Sequence, residues 1–493
     1  MGIIFKQSFK NSLIIYLSFL IGGINILYFY PDFLQKEYYG LVIYLLSASN
    51  LIMPITALGV HYTVIKFYSS YTDKVQRDRF LSIILFFPLV VALPMGYFWD
   101  HIHHWILCNL AEENQIYANY TIVIYIVAVC CAYFEVFYSW AKVQMQSVLG
   151  NILKEFWNRA TAMILLVVLI LGLIEKSEFI YFYTGAYILR TLVMMGYAFC
   201  LYLPKFALKL PDNFKEILRY SMYIILAGSA GAIILDIDKV MIPGKETIEQ
   251  AAYYAVAVFI GSFIEAPSRA MKQILQPITS KTLNENNHVE VESLYKRSSI
   301  NLLLIGGFFF VLINCSVTEL FKIIPEGYAG GEKVVLLISA LKLYHMVLGN
   351  NGEIISNSKY YRISLPLGLG MALSVYFLNK LFYFELGYGT EGLALATFLT
   401  ILLFNTIKIW FVQYVFKMNP FTKKSFLMLF VITSLSLLFY FWNFNLHPIV
   451  NILLKSGLIA GMYLFASYKL KISEDVNKML LRLFQKLYRK QSS

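Results

Sequence analysis

Charge is the scarcest commodity in this chain. Asp, Glu, Lys and Arg together make up only 14% of its 493 residues, well short of the quarter or so that a soluble domain carries, and no soluble domain of useful size fits between the apolar stretches. Cysteine is rare too. Of five, Cys130, Cys131, Cys200 and Cys315 fall in or at the edge of apolar stretches and Cys108 stands alone in a polar break, which leaves neither a disulfide framework nor zinc spacing. The trio His101, His103 and His104 lies between Trp99 and Trp105, an interfacial setting in which no metal is expected. Gly327, Gly330 and Gly331 lack the Lys-Ser/Thr that completes a phosphate loop, so nothing here points to nucleotide hydrolysis. The first apolar stretch follows Lys6 and Lys10 without a small-residue cleavage site and reads as an uncleaved span.

What is abundant is apolar and aromatic: 59% and 17% of residues, with a mean hydropathy of +0.63. The apolar segments run about 20 residues each, enough for a helix rising 1.5 Å per residue to cross a hydrocarbon core of about 30 Å. In lipid the backbone must satisfy itself, so the expected fold class is all-α integral membrane. About fourteen spans are expected, at residues 11–30, 39–64, 80–99, 116–140, 160–174, 179–203 and 220–242, then 251–275, 298–317, 334–356, 363–381, 392–415, 426–443 and 451–468.

The basic residues orient these spans. Lys6 and Lys10, Lys66 to Arg79, Lys142 to Arg159, Lys205 to Arg219, Lys281 to Arg297, Lys359 and Arg362, Lys417 to Lys424 and the tail all fall on one side. The other side carries Lys36, Lys176, Lys245, Lys322 and Lys333, plus Lys380 if its span is drawn shorter. By the positive-inside rule both termini are cytoplasmic, which requires an even number of spans. The net charge of +12 therefore belongs with anionic lipid headgroups, and nucleic acid is not an expected partner. The tail from Ser473 to Lys490 sets Val476, Leu480, Leu483, Phe484 and Leu487 on one face with Lys478, Arg482, Lys486 and Arg489 largely opposite, a basic amphipathic helix suited to the membrane surface.

Two hairpins look alike. Tyr28-Phe29-Tyr30-Pro31 closes the first span and Glu37-Tyr38-Tyr39-Gly40 opens a second that carries Pro54. Val240-Met241-Ile242-Pro243 closes the seventh and Ala251-Ala252-Tyr253-Tyr254-Ala255 opens an eighth that carries Pro267. Both copies start on the same side, so the halves read as parallel repeats joined by the linker 205–219. The expected domains are residues 1–204, the linker 205–219, residues 220–418, a final pair of spans in 419–470, and a tail at 471–493.

Together with Ala57-Leu58-Gly59, Phe214-Lys-Glu-Ile-Leu-Arg-Tyr, Asp236-Ile-Asp238-Lys239-Val-Met-Ile and Ile324-Pro-Glu-Gly-Tyr-Ala-Gly-Gly, these motifs resemble the polysaccharide-export, O-antigen flippase branch of the multidrug/oligosaccharidyl-lipid/polysaccharide (MOP) flippase superfamily. The resemblance implies two six-helix lobes around a central cavity plus two C-terminal helices. It also implies movement of an undecaprenyl-diphosphate-linked oligosaccharide across a bacterial inner membrane. The implied partners are that lipid, the bilayer, and a polysaccharide polymerase and chain-length regulator. No cofactor is implied beyond coupling to H+ or Na+. Two other functions compete: a cation-coupled small-molecule exporter, and a membrane glycosyltransferase, polymerase or ligase of the same pathway. Against the second, Glu112, Glu113, Glu319 and Glu326 are scattered over short loops rather than grouped as acid and base.

Charges inside a bilayer cost at least about 2.5 kcal/mol each, so those that persist face a cavity or a partner. Lys342, Arg190 and Arg269 are the candidate substrate-binding residues, able to hold a diphosphate by point charge and by planar fork; for Arg190 the alternative is an inter-helix ion pair or carbonyl contact. Asp238, Asp236 and Glu265 are the candidate ion-coupling residues. Asp238 matches the acidic position of the family pattern. Asp236 and Lys239 are spaced for an internal ion pair, and Glu265 and Arg269 for another. His61 reads as a packing residue, while Glu135, Lys408 and Lys455 lie close enough to span ends to snorkel.

Overall fold

The computed structural model describes residues 2–110, 114–207, 209–325, 328, 330–444, 446–473 and 477, and among the described residues there is no strand. The helices that correspond to the expected spans are α1 (Gly2–Ile24), α2 (Lys36–Thr56), α3 (Lys74–Tyr97), α4 (Thr121–Val143), α5 (Asn158–Ile170), α6 (Lys176–Leu201) and α7 (Phe214–Met241). They continue with α8 (Ile248–Ser262), α9 (His288–Phe321), α10 (Glu332–Val347), α11 (Ser364–Asn379), α12 (Gly389–Phe416), α13 (Lys423–Tyr440) and α14 (Pro448–Lys469). Among the described residues, eleven helical segments are long and apolar enough to cross a membrane. The count of fourteen is thus approximate: α5 has 13 residues and α10 has 16. The chain is a multi-pass, all-α membrane protein. The basic tail helix expected beyond Ser473, and Glu112, Glu113, Glu326 and Gly327, lie outside the described residues.

Several spans are broken rather than continuous. The second span, expected as one helix over 39–64, stops at Thr56 and resumes as Val60–Phe67. Pro54 removes a backbone donor, and Leu58 and Gly59 then take φ of 47° and 64°. Gly59 is required twice: its φ is left-handed, and a Cβ there would lie 2.5 Å from Ile224 Cγ2 on α7. The eighth span breaks after α8 into the 3-10 turn Phe263–Glu265, and Pro267 sits in the first turn of the following helix Ala266–Asn284, where its missing N–H has no cost. One-turn π segments interrupt the helices at Asn25–Phe29, Ile152–Trp157 and Lys380–Glu385.

The contacts divide the chain into two compact units, Met1–Val256 with Ser364–Leu393, and Ala257–Ile363 with Ala394–Ser493. In the first, α4 packs among α2, α3 and α6 and supplies Phe134, Val136, Phe137 and Trp140 to a core with Val64, Phe80 and Met194. Helix α7 lies on α2 and α11. Gly40 of α2 lets the two similar hairpins meet, since a Cβ there would fall 2.2 Å from the Ile248 carbonyl oxygen at the start of α8. The buried Asn114 ties the same corner. Its amide donates to the Pro243 and Glu246 carbonyls at 3.0 Å each, and its oxygen accepts the Ile248 N–H at 2.9 Å.

In the second unit the 34-residue α9 packs on α10, α13 and α14, burying Leu303, Val311, Met428, Ile432, Ile459 and Tyr463. The outward faces of α13 and α14 carry Phe426, Phe430, Leu453 and Phe465, all exposed, as expected of side chains that meet lipid rather than water.

Candidate functional site

Helix α7 brings two of the expected acidic residues into the first unit, and each faces a different neighbour. Asp236 accepts at Oδ1 from Ser47 Oγ and Lys239 Nζ, both at 3.0 Å, and at Oδ2 from Asn50 Nδ2 at 3.2 Å. Two of these donors belong to α2, so the carboxylate joins α7 to α2 as well as closing the internal pair with Lys239. Asp238 lies over a half-turn further on and accepts from Tyr254 of α8 at 2.6 Å and from Asn379 at the end of α11 at 2.7 Å. Both aspartates are buried. Burying a carboxylate is tolerable only where donors replace water, and these sites supply them.

In the second unit Glu265, Lys342 and Arg269 come together. Lys342 Nζ stands 2.6 Å from Glu265 Oε2 and Arg269 Nη2 stands 4.0 Å from the same oxygen. Lys342 and Glu265 keep only 13% of their side-chain surface exposed, so water screens the pair little. The break before Pro267 sets this geometry: Glu265 is the last residue of the 3-10 turn, which aims its carboxylate at α10. One carboxylate thus neutralises two of the candidate anion-binding cations.

Arg190 is not part of that cluster. It is 4% exposed in the first unit, where Nη2 approaches Cys131 Sγ at 3.3 Å and the guanidinium lies over the rings of Phe134 and Tyr187, 4.3 and 4.7 Å from their centroids. Its Nε has no hydrogen-bond partner. Neither of the alternatives expected for it, an ion pair or a carbonyl contact, forms among the described residues; aromatic faces hold the charge instead. A cavity of about 10 Å³ touches Tyr183 and Tyr187, room for a water and not for a diphosphate.

Two residues expected to snorkel do not. Glu135 is buried and pairs at 2.5 Å with Nζ of Lys154, an exposed lysine on the π segment Ile152–Trp157. Lys455 is buried and donates to the Cys315 carbonyl at 3.0 Å. His61 is packed, with Nδ1 unpartnered and its ring 4.1 Å from that of Tyr62. Among the described residues no group of His, Cys, Asp and Glu could hold a metal ion. The partners Ser47, Asn50 and Asn379 carried no signal in the sequence, because each is an ordinary polar residue whose role arises from a contact across the fold, and Tyr254 stood out only as part of the repeated hairpin.

Comparisons with known proteins agree with this architecture. The family model described as "Polysaccharide biosynthesis protein" matches residues 4–283, more than half of the chain. No curated protein matches. Among solved structures, the lipid II flippase MurJ in an inward closed conformation is 15% identical and superposes with a TM-score of 0.69, covering 93% of this chain and 97% of that one. A MOP superfamily transporter from Pyrococcus furiosus is 14% identical with a TM-score of 0.59, covering 84% and 95%. A multidrug resistance MATE family transporter in its inward-facing conformation is 12% identical with a TM-score of 0.58, covering 87% and 99%. All three are described as flippases or transporters, not enzymes, and at these identities the likeness is one of fold. On the family match, this chain belongs to the polysaccharide biosynthesis protein family, and its fold is that of the MOP superfamily.

Proposed function

We propose that this protein is a flippase that carries an undecaprenyl-diphosphate-linked oligosaccharide, an O-antigen or other surface-polysaccharide repeat unit, from the cytoplasmic to the periplasmic leaflet by alternating access. The observation that carries the proposal is the family match over residues 4–283. Its membrane is the bacterial inner membrane, with both termini cytoplasmic, a reading supported by the one-sided basic loops. The two lobes, 1–204 and 220–418, are the moving parts, and 419–470 adds a final helix pair. A polymerase and a chain-length regulator act next on the cargo.

The Glu265 cluster suits this task. A diphosphate leaving water needs fixed donors, and Lys342 and Arg269 are cations held in place by a carboxylate that the cargo can displace. Arg190 is the third candidate, reachable only after its aromatic neighbours move. Asp238 and Asp236 are proposed as the H+ or Na+ sites. Neutralising Asp236 weakens its hold on Ser47 and Asn50 and so loosens α7 from α2.

The experiment is mass spectrometry of the undecaprenyl-linked pool in cells lacking the protein, alongside labelling of surface glycan. A finished oligosaccharide accumulating on its carrier, with surface glycan lost, supports the flippase. A truncated oligosaccharide would mean a transferase, a single unpolymerised unit exposed outside would mean a polymerase, and an unchanged pool would mean an exporter of something else.

A further inference from the structure

At the basic end of the second unit, a cavity of about 420 Å³ opens between α9, α13 and the segment that follows α14. That volume lies within the range of about 300–1,000 Å³ typical of small-molecule sites. Its wall carries Lys296, Arg297, Lys423 and Lys424, and Ile300 and Ile472 also line it. Lys296 is paired with Glu292 at 2.6 Å. Arg297, Lys423 and Lys424 have no ion-pair partner among the described residues and are exposed, so three uncompensated positive charges border one hollow. Positive charges that share one hollow favour an anion among them.

The rest of the wall says which anion. Thr422 and Ser473 complete the polar side, whereas Ile300 and Ile472 belong to the apolar core that α9 shares with α13 and α14, and the outward face of α13 that begins just beyond Lys424 carries the exposed Phe426 and Phe430. A cationic rim over an apolar floor, continuous with a lipid-facing helix, matches an amphiphile and not a free ion. Basic pockets between membrane helices at the cytoplasmic side are known to take phospholipid headgroups. We infer that this cavity binds the phosphate headgroup of an anionic phospholipid from the leaflet at the basic side, with the acyl chains lying along α13. This site is separate from the Glu265 cluster, and the inference does not depend on what the protein transports.

The test is native mass spectrometry of the full chain in detergent, titrated with phosphatidylglycerol and, in parallel, phosphatidylcholine. Phosphatidylglycerol is expected to be retained in preference. Arg297→Gln with Lys424→Gln is expected to weaken that retention by about 25-fold, at about 5-fold per charge removed. A control, Lys469→Gln with Lys471→Gln, removes two nearby charges that do not line the cavity and is expected to leave retention unchanged. Equal loss in both double variants would overturn the site in favour of diffuse surface charge. Displacement of phosphatidylglycerol by low-millimolar inorganic phosphate would overturn the lipid as occupant, and unchanged binding in Arg297→Gln/Lys424→Gln would overturn the inference altogether.

Discussion

Lys342 and Glu265 behave as one unit, and that decides what single substitutions do. Removing one partner of a buried pair costs about 3–5 kcal/mol because the other charge is left without compensation. Arg269, 4.0 Å from Glu265, offsets part of that cost. Lys342→Ala is therefore expected to lower the melting temperature in detergent as well as to abolish export. Glu265→Gln combined with Lys342→Met removes both charges, so stability returns toward that of the unmodified protein while export stays lost. Recovery of export in the double variant would remove the pair from the substrate path. At Asp238 the two donors Tyr254 and Asn379 mark a site made for a carboxylate. Asp238→Asn is expected to insert and fold, yet to make export insensitive to collapse of the coupling-ion gradient; an unchanged response to that collapse would discard the assignment.

The deep charges were legible as residues, but not as a group. Lys342, Arg269 and Glu265 stood out because membrane spans rarely keep charges, and the spacing of Glu265 and Arg269 gave their pairing. Nothing in the sequence placed Lys342 against Glu265, 77 positions away; that contact follows from the break before Pro267. Glu135 shows the same limit. Its position near a span end suggested water, whereas the carboxylate is buried and Lys154 on the π segment reaches it from the exposed side.

At the scale of elements, Ser47 and Asn50 tie α2 to α7 through Asp236, while Gly59 lets the second span approach α7 and Gly40 lets it approach the start of α8. Gly59→Ala would force a side chain into left-handed backbone, at about 1–2 kcal/mol, and into Ile224 as well. Gly40→Ala meets the Ile248 carbonyl at 2.2 Å, a clash with backbone that cannot rotate away, and overpacking of this sort costs about 1–3 kcal/mol. Both are expected to lower the melting temperature by several degrees, whereas Gly231→Ala, with nothing within 4 Å of the new Cβ, is expected to be neutral or stabilising. Asn114→Ala removes three hydrogen bonds at the corner between the hairpins. Its expected effect is local: faster amide hydrogen exchange at Ile248, whose N–H loses its acceptor. The helix order was legible in the sequence because apolar run length acts locally; Pro54 and Pro267 stood out as matching positions of the two hairpins, but the spans carrying them read as continuous. The interruption at Leu58 and Gly59 was not, since a glycine after an apolar run reads equally well as a packing residue.

At the scale of the whole molecule, the helices share the fold of solved MOP transporters, and the cargo is the central claim. Run length and one-sided basic charge carried the all-α membrane fold, while nothing in periodicity carries the chemistry of a sugar or a diphosphate. The direct measurement is transbilayer movement by the purified protein in proteoliposomes, using an undecaprenyl-diphosphate oligosaccharide placed in one leaflet and a membrane-impermeant glycosidase that trims whatever reaches the other. The account predicts protein-dependent trimming that Lys342→Ala abolishes. Trimming no faster than in empty liposomes, with protein correctly folded and an imposed ion gradient, would contradict it.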